Sequence, residues 1–307
     1  MYARRSQPTA MPNKGHVWEC RGARHAALLL CATGALMAAG TIARASEPPT
    51  PLVRQIDHII IQSDDPESLF KLLAETLKLP TAWPFQSFGD FASGAVNLGN
   101  VALEVTHLKD RRPGFAGVAL EPSASESIPV LVNNLDARGL VHAAPDPTMQ
   151  KDQSGKESLA WTIIPLSQLP PAGAIFFCKY TFDLDPLRAK AVGALRDSGG
   201  GPLGVLSVKE LLIGARNIAA AQRDWSLLLG PPQSGGREFA WQIGAGPPLR
   251  LVAAQKDEIA QLRVSVKSLT VARAFLTSKR LVGSDSGREI TLDTSRTSGA
   301  EIRFVER

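Results

Sequence analysis

The sequence predicts an α+β protein built by repetition, and three observations carry that expectation. Four times the 307-residue chain reads as a short apolar strand, a turn, an amphipathic helix and then two or three further strands. Matching positions recur at similar intervals, His58 to Gly117 in the first pair of units and Glu210 to Arg263 in the last. The strands after each helix run as a meander rather than singly between helices, which excludes a doubly wound sheet.

The opening strands are "IDHIII" (56–61), "FAGVAL" (115–120), "GVLSVKELLI" (204–213) and "QLRVSV" (261–266). In the first unit Asp64 or Asp65 can cap a helix, Pro66 fits its first position, and Leu69, Leu72, Leu73, Thr76 and Leu77 recur at helical spacing. The second helix lies within "SASESIPVLVNNLDARGL" and stops at Gly139. The third starts from Asn217 and stops at Gly230; the fourth, "LTVARAFLTSKRLVG", closes at Gly283. Later strands are "GAVNLG" and "VALEVTHL", "LAWTIIPL" and "AIFFCKYTF", "EFAWQIG" and "PLRLVAA", and "REITLDT" and "EIRFVER". The step between the second and third units is longer, owing to polar residues at 143–159 and to "DSGGGPLG" (197–204). The first is a lid or a tolerated insertion. The second marks a domain boundary, since its glycines lack the Lys-Ser/Thr of a phosphate loop. The expected organisation is a leader at 1–45, a first domain at 51–190 holding units one and two, a linker at 191–203, and a second domain at 204–307.

A hydrophobic fraction of 44% with 21% charged residues excludes a disordered chain. The formal charge of +5 belongs to the front, where residues 1–45 hold Arg4, Arg5, Lys14, Arg21, Arg24 and Arg44 against Glu19 alone. The remainder is balanced, so nucleic acid is not an expected partner. The basic front, the apolar "AALLLCATGALMAAGTI" (26–42) and "ARAS" match a secretory signal with cleavage between Ala45 and Ser46. The apolar run falls short of the about 20 strongly apolar residues of a spanning helix. The expectation is a periplasmic or secreted protein with no membrane contact after cleavage. Cys20 and Cys31 leave with the leader, so Cys178 remains alone and no internal disulfide or paired-cysteine metal site can form.

The tandem units, "IDHIII", "GNVALEVTHL" and "FFCKYTF" (176–182) resemble the vicinal oxygen chelate superfamily, which includes glyoxalases, bleomycin-resistance proteins and dioxygenases; the opening stretch resembles its glyoxalase-like branch. The likeness covers about 53–182 and is carried afterwards by the repeat alone. It implies that paired βαβββ modules curl into two incomplete barrels, each with a hollow that can hold a site. In metal-dependent members each module supplies one ligand from its first strand and one from its last, and the ion polarises two adjacent substrate oxygens. In the first module those positions are His58 and Glu104, an imidazole and a carboxylate suited to one divalent Zn, Fe, Mn or Ni ion. In the second they fall on Gly117 and Phe177, which donate no lone pair. Three protein ligands are usual, and the candidates for a third are Cys178, Tyr180, His142, His107 and Glu121, with Cys178 on the opposite strand face.

His58 therefore admits three roles: metal ligand, hydrogen-bonding wall of a ligand hollow, or satisfied core histidine. Glu104, flanked by Leu103 and Val105, must be paired, coordinated or protonated if it faces the interior; it is also the candidate catalytic base. Phe177 and Tyr180 complete the candidate ligand-binding set, and the rings of "WPFQSFGDF" (83–91) border the hollow or pack beneath a loop. In the second domain Glu210, Arg250, Arg263 and Arg303 occupy the equivalent places; the arginines clamp an anion or pair locally, with Glu210 the obvious partner. No G-x-S-x-G, H-E-x-x-H, phosphate-loop or dinucleotide motif is present. The missing second-module ligands favour an exported binder of a small organic molecule in the first hollow, without a complete metal site. The alternative is a metal-dependent lyase, isomerase or dioxygenase acting on vicinal oxygens.

Overall fold

A computed structural model describes residues 52–87, 91–123, 126–151, 155–235 and 238–307, which belong to one compact unit. The leader expected at 1–45 lies outside the described residues.

Two eight-stranded sheets of identical topology are present. In the first, β1 (Val53–Gln62) and β5 (Gly114–Pro122) pair antiparallel at the centre. β1 also pairs in parallel with β4 (Ala102–Leu108), and outward follow β3 (Phe91–Asn97) and β2 (Thr81–Ser87). β5 pairs in parallel with β8 (Ile175–Tyr180), followed by β7 (Glu157–Leu166) and β6 (Asp146–Lys151). The second sheet repeats this plan around β9 (Val205–Ala215) and β13 (Glu258–Val266). One flank holds β12 (Leu249–Ala253), β11 (Glu238–Trp241) and β10 (Gln233–Gly235). The other holds β16 (Ile302–Glu306), β15 (Glu289–Leu292) and β14 (Val282–Asp285). Each half-sheet is one βαβββ module, and the sheets curl as half-barrels.

The helices form where the chemistry of their ends directs. α1 (Pro66–Lys71) is capped by the Asp65 carboxylate, which accepts from the Ser68 amide, and continues into a π-helical turn at Leu72–Thr76. α2 (Ile128–Ala137) is capped by Ser127, with Gly139 left-handed beyond its end. Such caps contribute about 1 kcal/mol each. α3 (Asp185–Asp197) was not anticipated; it takes up part of the stretch expected as a linker, followed by a 3₁₀ turn at Gly201–Leu203. α4 (Ile218–Leu229) runs from Asn217 to Gly230 as expected. α5 (Leu269–Ser278) ends earlier than the sequence indicated: Arg280 turns the chain with φ of 56°, and Gly283 lies in β14. The stretch at 143–159, read as a lid or an insertion, contributes β6 and the start of β7. The "WPFQSFGDF" stretch likewise supplies most of β2.

Alternation sorts each strand between two faces. Ile59, Ile61, Leu103, Val105, Val118, Leu120, Ile175 and Phe177 are fully or almost fully buried in a continuous core that also takes in the helices. Burying each such side chain is worth about 1.5–3 kcal/mol. The residues between them point to the opposite, open face. The sheets approach each other closely at glycines: a Cβ on Gly244, whose φ is +53°, would stand 2.1 Å from the Arg54 carbonyl oxygen. The Asn100 amide spans the same divide, donating to and accepting from the Val208 backbone.

Candidate functional site

His58 sits on the open face of the first sheet in a row with Ala119 of β5 and Phe176 of β8, its cross-strand neighbours in register. The Phe176 ring meets the imidazole edge-on at 6.1 Å between centroids, and Trp83 does so from the other side at 5.7 Å. Glu104 is opposite Ile60, two residues along the strand, so it shares the open face with His58. The two meet: His58 Nε2 lies 3.3 Å from Glu104 Oε2. Both are buried, His58 at 6% and Glu104 at 9% exposure.

A β-bulge adds a third member. Opposite β5, Ile56 pairs with Leu120 and His58 with Ala119, leaving Asp57 as an extra residue. Strict alternation would drive a carboxylate into the helix-side core; the bulge lets neighbouring Asp57 and His58 side chains meet. Asp57 Oδ2 accepts from His58 Nδ1 at 2.8 Å and from the Tyr180 hydroxyl at 2.9 Å. Its Oδ1 accepts from Arg188 of α3 at 2.5 Å. Arg188 also reaches Glu121 at 2.8 Å, and Glu121 in turn holds Arg54 and Gln55. Beyond Glu104, Ser93 donates to Oε1 at 2.6 Å and accepts from Trp83 Nε1 at 3.0 Å. The network therefore runs unbroken from β2 through the sheet centre to α3.

Its protonation follows from donor arithmetic. A carboxylate only accepts, so the imidazole nitrogen facing Asp57 carries a proton. Burial draws the pKa of His58 down, but the hydrogen bond to Asp57 and the charges of Asp57 and Glu104 outweigh it, and the net shift is upward. Burial alone would raise Asp57; the bond and charge of His58, with those of Arg188, hold it far below the usual carboxylate range. His58 thus stands with Asp57 at Nδ1 and Glu104 at Nε2.

Phe177 does not belong to this face. It is fully buried on the helix side, because β8 alternation places Phe176, Cys178 and Tyr180 outward and gives Ile175 and Phe177 to the core. The expectation that Cys178 lies on the far face is corrected by the same register. Burial, above all, pushes the Cys178 thiol up to about 12. Tyr180 reaches the site through Asp57, whereas His107 bonds the Ser63 carbonyl and His142 bonds Asp136. Asp57, Ser93 and Arg188 were not singled out from the sequence. The "DH" pair offered a signal, since two consecutive polar residues inside an apolar strand require a bulge or a partner on each face.

The donor set can be tested against a metal ion. His58 Nε2 and Glu104 Oε2 converge, and Asp57 behind Nδ1 resembles the carboxylate that orients a metal-bound histidine. Two donors are short of the usual three. Phe176, which has no donor atom, occupies the facing position from the second module. Among the described residues no group of three or more His, Cys, Asp or Glu side chains is placed to hold an ion. The residues present do not fit a complete metal site.

In the second sheet the open face carries a ladder of charge. Glu210 takes Arg250 Nε at 2.6 Å on one oxygen and Arg263 Nη1 at 2.7 Å on the other. Arg250 continues to Glu238, and Arg303 joins Glu289 to Glu301. The arginines are spent on carboxylates, so local pairing replaces the anion clamp.

No protein-family model and no curated protein matches this chain. Solved structures do. A hypothetical protein from Staphylococcus aureus aligns with a TM-score of 0.57 at 11% identity, over 82% of this chain and 99% of its own. Homoprotocatechuate 2,3-dioxygenase from Arthrobacter globiformis gives 0.57 at 9%, over 85% and 82%. The Mn(II)-bound glyoxalase from Novosphingobium aromaticivorans gives 0.56 at 12%, over 84% and 83%. With its paired βαβββ modules and two curled sheets, the chain has the fold of these glyoxalase and dioxygenase structures.

Proposed function

We propose that the protein binds a small organic molecule on the open face of its first half-barrel, against the His58–Glu104 pair, without a complete metal site. The observation that carries this reading is the composition of that face. A closed polar network at its centre is flanked by half-buried Trp83, Phe176, Trp161 and Tyr180, the last two with ring centroids 6.2 Å apart. Exposed Leu159 and Met149, cross-strand partners, extend this wall, and Phe182 packs on Tyr180. A contiguous apolar surface beside a few fixed polar groups suits ligand capture. The leader-like residues 1–45 support export to the periplasm or medium. Among the described residues no helix is long and apolar enough to cross a membrane.

A second reading, a metal-assisted lyase, isomerase or dioxygenase, draws support from the convergence of His58 Nε2 with Glu104 Oε2 and from the dioxygenases and glyoxalase that share the fold. Elemental analysis of the full chain purified without chelator, beside His58→Ala, separates the two. Together with it, titration with the neutral fluorophore N-phenyl-1-naphthylamine tests the binding face. The binder predicts no stoichiometric metal and saturable fluorophore binding that weakens at least about tenfold, roughly 1.4 kcal/mol, in Leu159→Ser. Stoichiometric metal that is lost in His58→Ala transfers the assignment to the enzyme.

A further inference from the structure

Three rings at the edge of the first half-barrel carry chemistry that the binding reading does not use. Trp161 of β7, Tyr180 at the end of β8 and Phe182 just beyond it stand in a row, with centroids 6.2 and 5.5 Å apart and planes inclined by 54° and 60°. Rings inclined in this way are not stacked flat, so they do not use up one another's faces. Trp161 and Tyr180 are half-buried, and Phe182 is 48% exposed. The backbone fixes the last of them: Thr181 donates its amide to the Ala160 carbonyl and its hydroxyl to that of Leu159, tying the residue before Phe182 to β7. Negative charge accumulates behind the rings. The Tyr180 hydroxyl donates to Asp57 at 2.9 Å, and a phenol that donates to a carboxylate gains electron density over its ring. The side chains linked through Asp57 are the carboxyl groups of Asp57, Glu104, Glu121 and Asp185 and the guanidiniums of Arg54 and Arg188, joined by His58. Acids outnumber bases in that network whichever charge His58 carries. Asp183 and Asp185, both exposed, follow Phe182 in the chain. Both arginines are committed to these acids, so neither is left to receive an anion.

We propose that the ligand of the first half-barrel is an organic cation, an alkylated ammonium on an apolar body, whose charged head sits against Trp161, Tyr180 and Phe182. The proposal rests on the reading of this face as a binding site, and it adds the chemical class of the ligand. The quadrupole of an aromatic ring draws a cation to its face, more strongly where water is excluded, and quaternary ammonium groups are the heads that clustered rings recognise. The apolar body lies on Leu159 and Met149, cross-strand partners beside Trp161 on β7 and β6. A neutral ligand of the same shape gains that apolar wall but not the attraction of the rings and of the acids behind them. A carboxylate or phosphate is repelled by both.

Two soluble isosteres, (3-hydroxyphenyl)trimethylammonium and 3-tert-butylphenol, differ only in nitrogen for carbon and hence in one positive charge. Their affinities for the full chain are measured by calorimetric titration and by displacement of N-phenyl-1-naphthylamine. The ammonium ion should bind about tenfold more tightly than its neutral twin. That preference should fall to about threefold or less in Phe182→Leu and in Trp161→Leu, which keep an apolar side chain but remove a ring. Phe182 is exposed enough for its replacement to leave the fold intact, so its result stands even if Trp161→Leu does not fold. A preference below about threefold in the unsubstituted protein overturns the cation, and saturable binding of the phenol then leaves the binding reading in place. A preference undiminished in Phe182→Leu also overturns it, because the charge is then read elsewhere. Failure of both isosteres and of the fluorophore to bind defeats the binding reading and the cation together.

Discussion

Replacing Arg188 by methionine gives a quantitative test of how α3 is tied to the sheet. Methionine keeps most of the aliphatic stem, so the change isolates the guanidinium. Its loss removes a charge-assisted hydrogen bond to buried Asp57 and another to Glu121, at 2.5 and 2.8 Å. Such bonds contribute about 1.5–3 kcal/mol each. The Asp57 bond deserves the upper part of that range because the carboxylate is almost wholly buried, although His58 and Tyr180 remain on its other oxygen. The Glu121 bond deserves the lower part, since Arg54 and Gln55 still satisfy that side chain. The contact with half-exposed Asp185 adds almost nothing. Allowing for the remaining partners, the expected loss is about 3 kcal/mol, a large share of the roughly 5–15 kcal/mol of a typical folded protein. Urea unfolding measures it as a lower midpoint at constant slope. Exposed Lys190 on the same helix is the control, and Lys190→Met should stay within about 0.5 kcal/mol. A loss below about 1 kcal/mol for Arg188→Met, or one equal to that of the control, refutes the account of a helix anchored through buried charge.

The network also sets a pH dependence. His58 has its pKa raised above the ordinary 6.5, so its contribution is complete below that value and fades as pH rises through the folded-state value. Asp57 is depressed below 3.8, so its contribution is complete above that value and fades toward stronger acid. Calorimetry between pH 4.5 and 9 should therefore show the stability gap over His58→Gln widest at or below about pH 6 and narrowing above it; a gap that grows toward pH 9 contradicts the upward shift of His58. Gly244→Ala tests the junction of the sheets. Its Cβ meets backbone at 2.1 Å with φ at +53°, and a cost of about 3 kcal/mol is expected. Gly173→Ala shares the positive φ but meets nothing within 4 Å and should cost about 1 kcal/mol. Equal effects on thermal unfolding would remove the claim that the sheets touch there.

How far the sequence could be read depended on whether a signal was local. The caps of α1 and α4 were legible because Asp65 and Asn217 act within one turn of themselves, whereas Ser127 at the start of α2 was not singled out. His58 and Glu104 were paired by the resemblance, which puts one site residue on the first strand of a module and one on its last, and the structure pairs those strands, β1 and β4, in parallel. Counting failed where pairing was distant. Phe177 was placed by aligning the second module onto the first, one residue out of register with β8, where the ring level with Ala119 and His58 is Phe176. The helix end near Gly283 went astray for a related reason, since Arg280 adopts the left-handed turn that glycine was expected to supply.

Arg188 shows a different boundary. The helix that carries it was readable in principle, with Pro186 at its start and Leu187, Ala191 and Leu195 at helical spacing. Its partner was not, because Asp57 lies 131 residues away and meets it only after two modules have folded. A bulge that breaks alternation is the physical reason that a carboxylate can exist beside His58, and His58 itself, joined by an arginine from the connecting segment, is the reason that it can remain charged. The first was written in two adjacent letters, while the arginine required the tertiary fold. The site's centre is therefore local in origin and non-local in its support, which makes α3, rather than the strand bearing His58, the element whose loss should disturb the imidazole without unravelling the sheet.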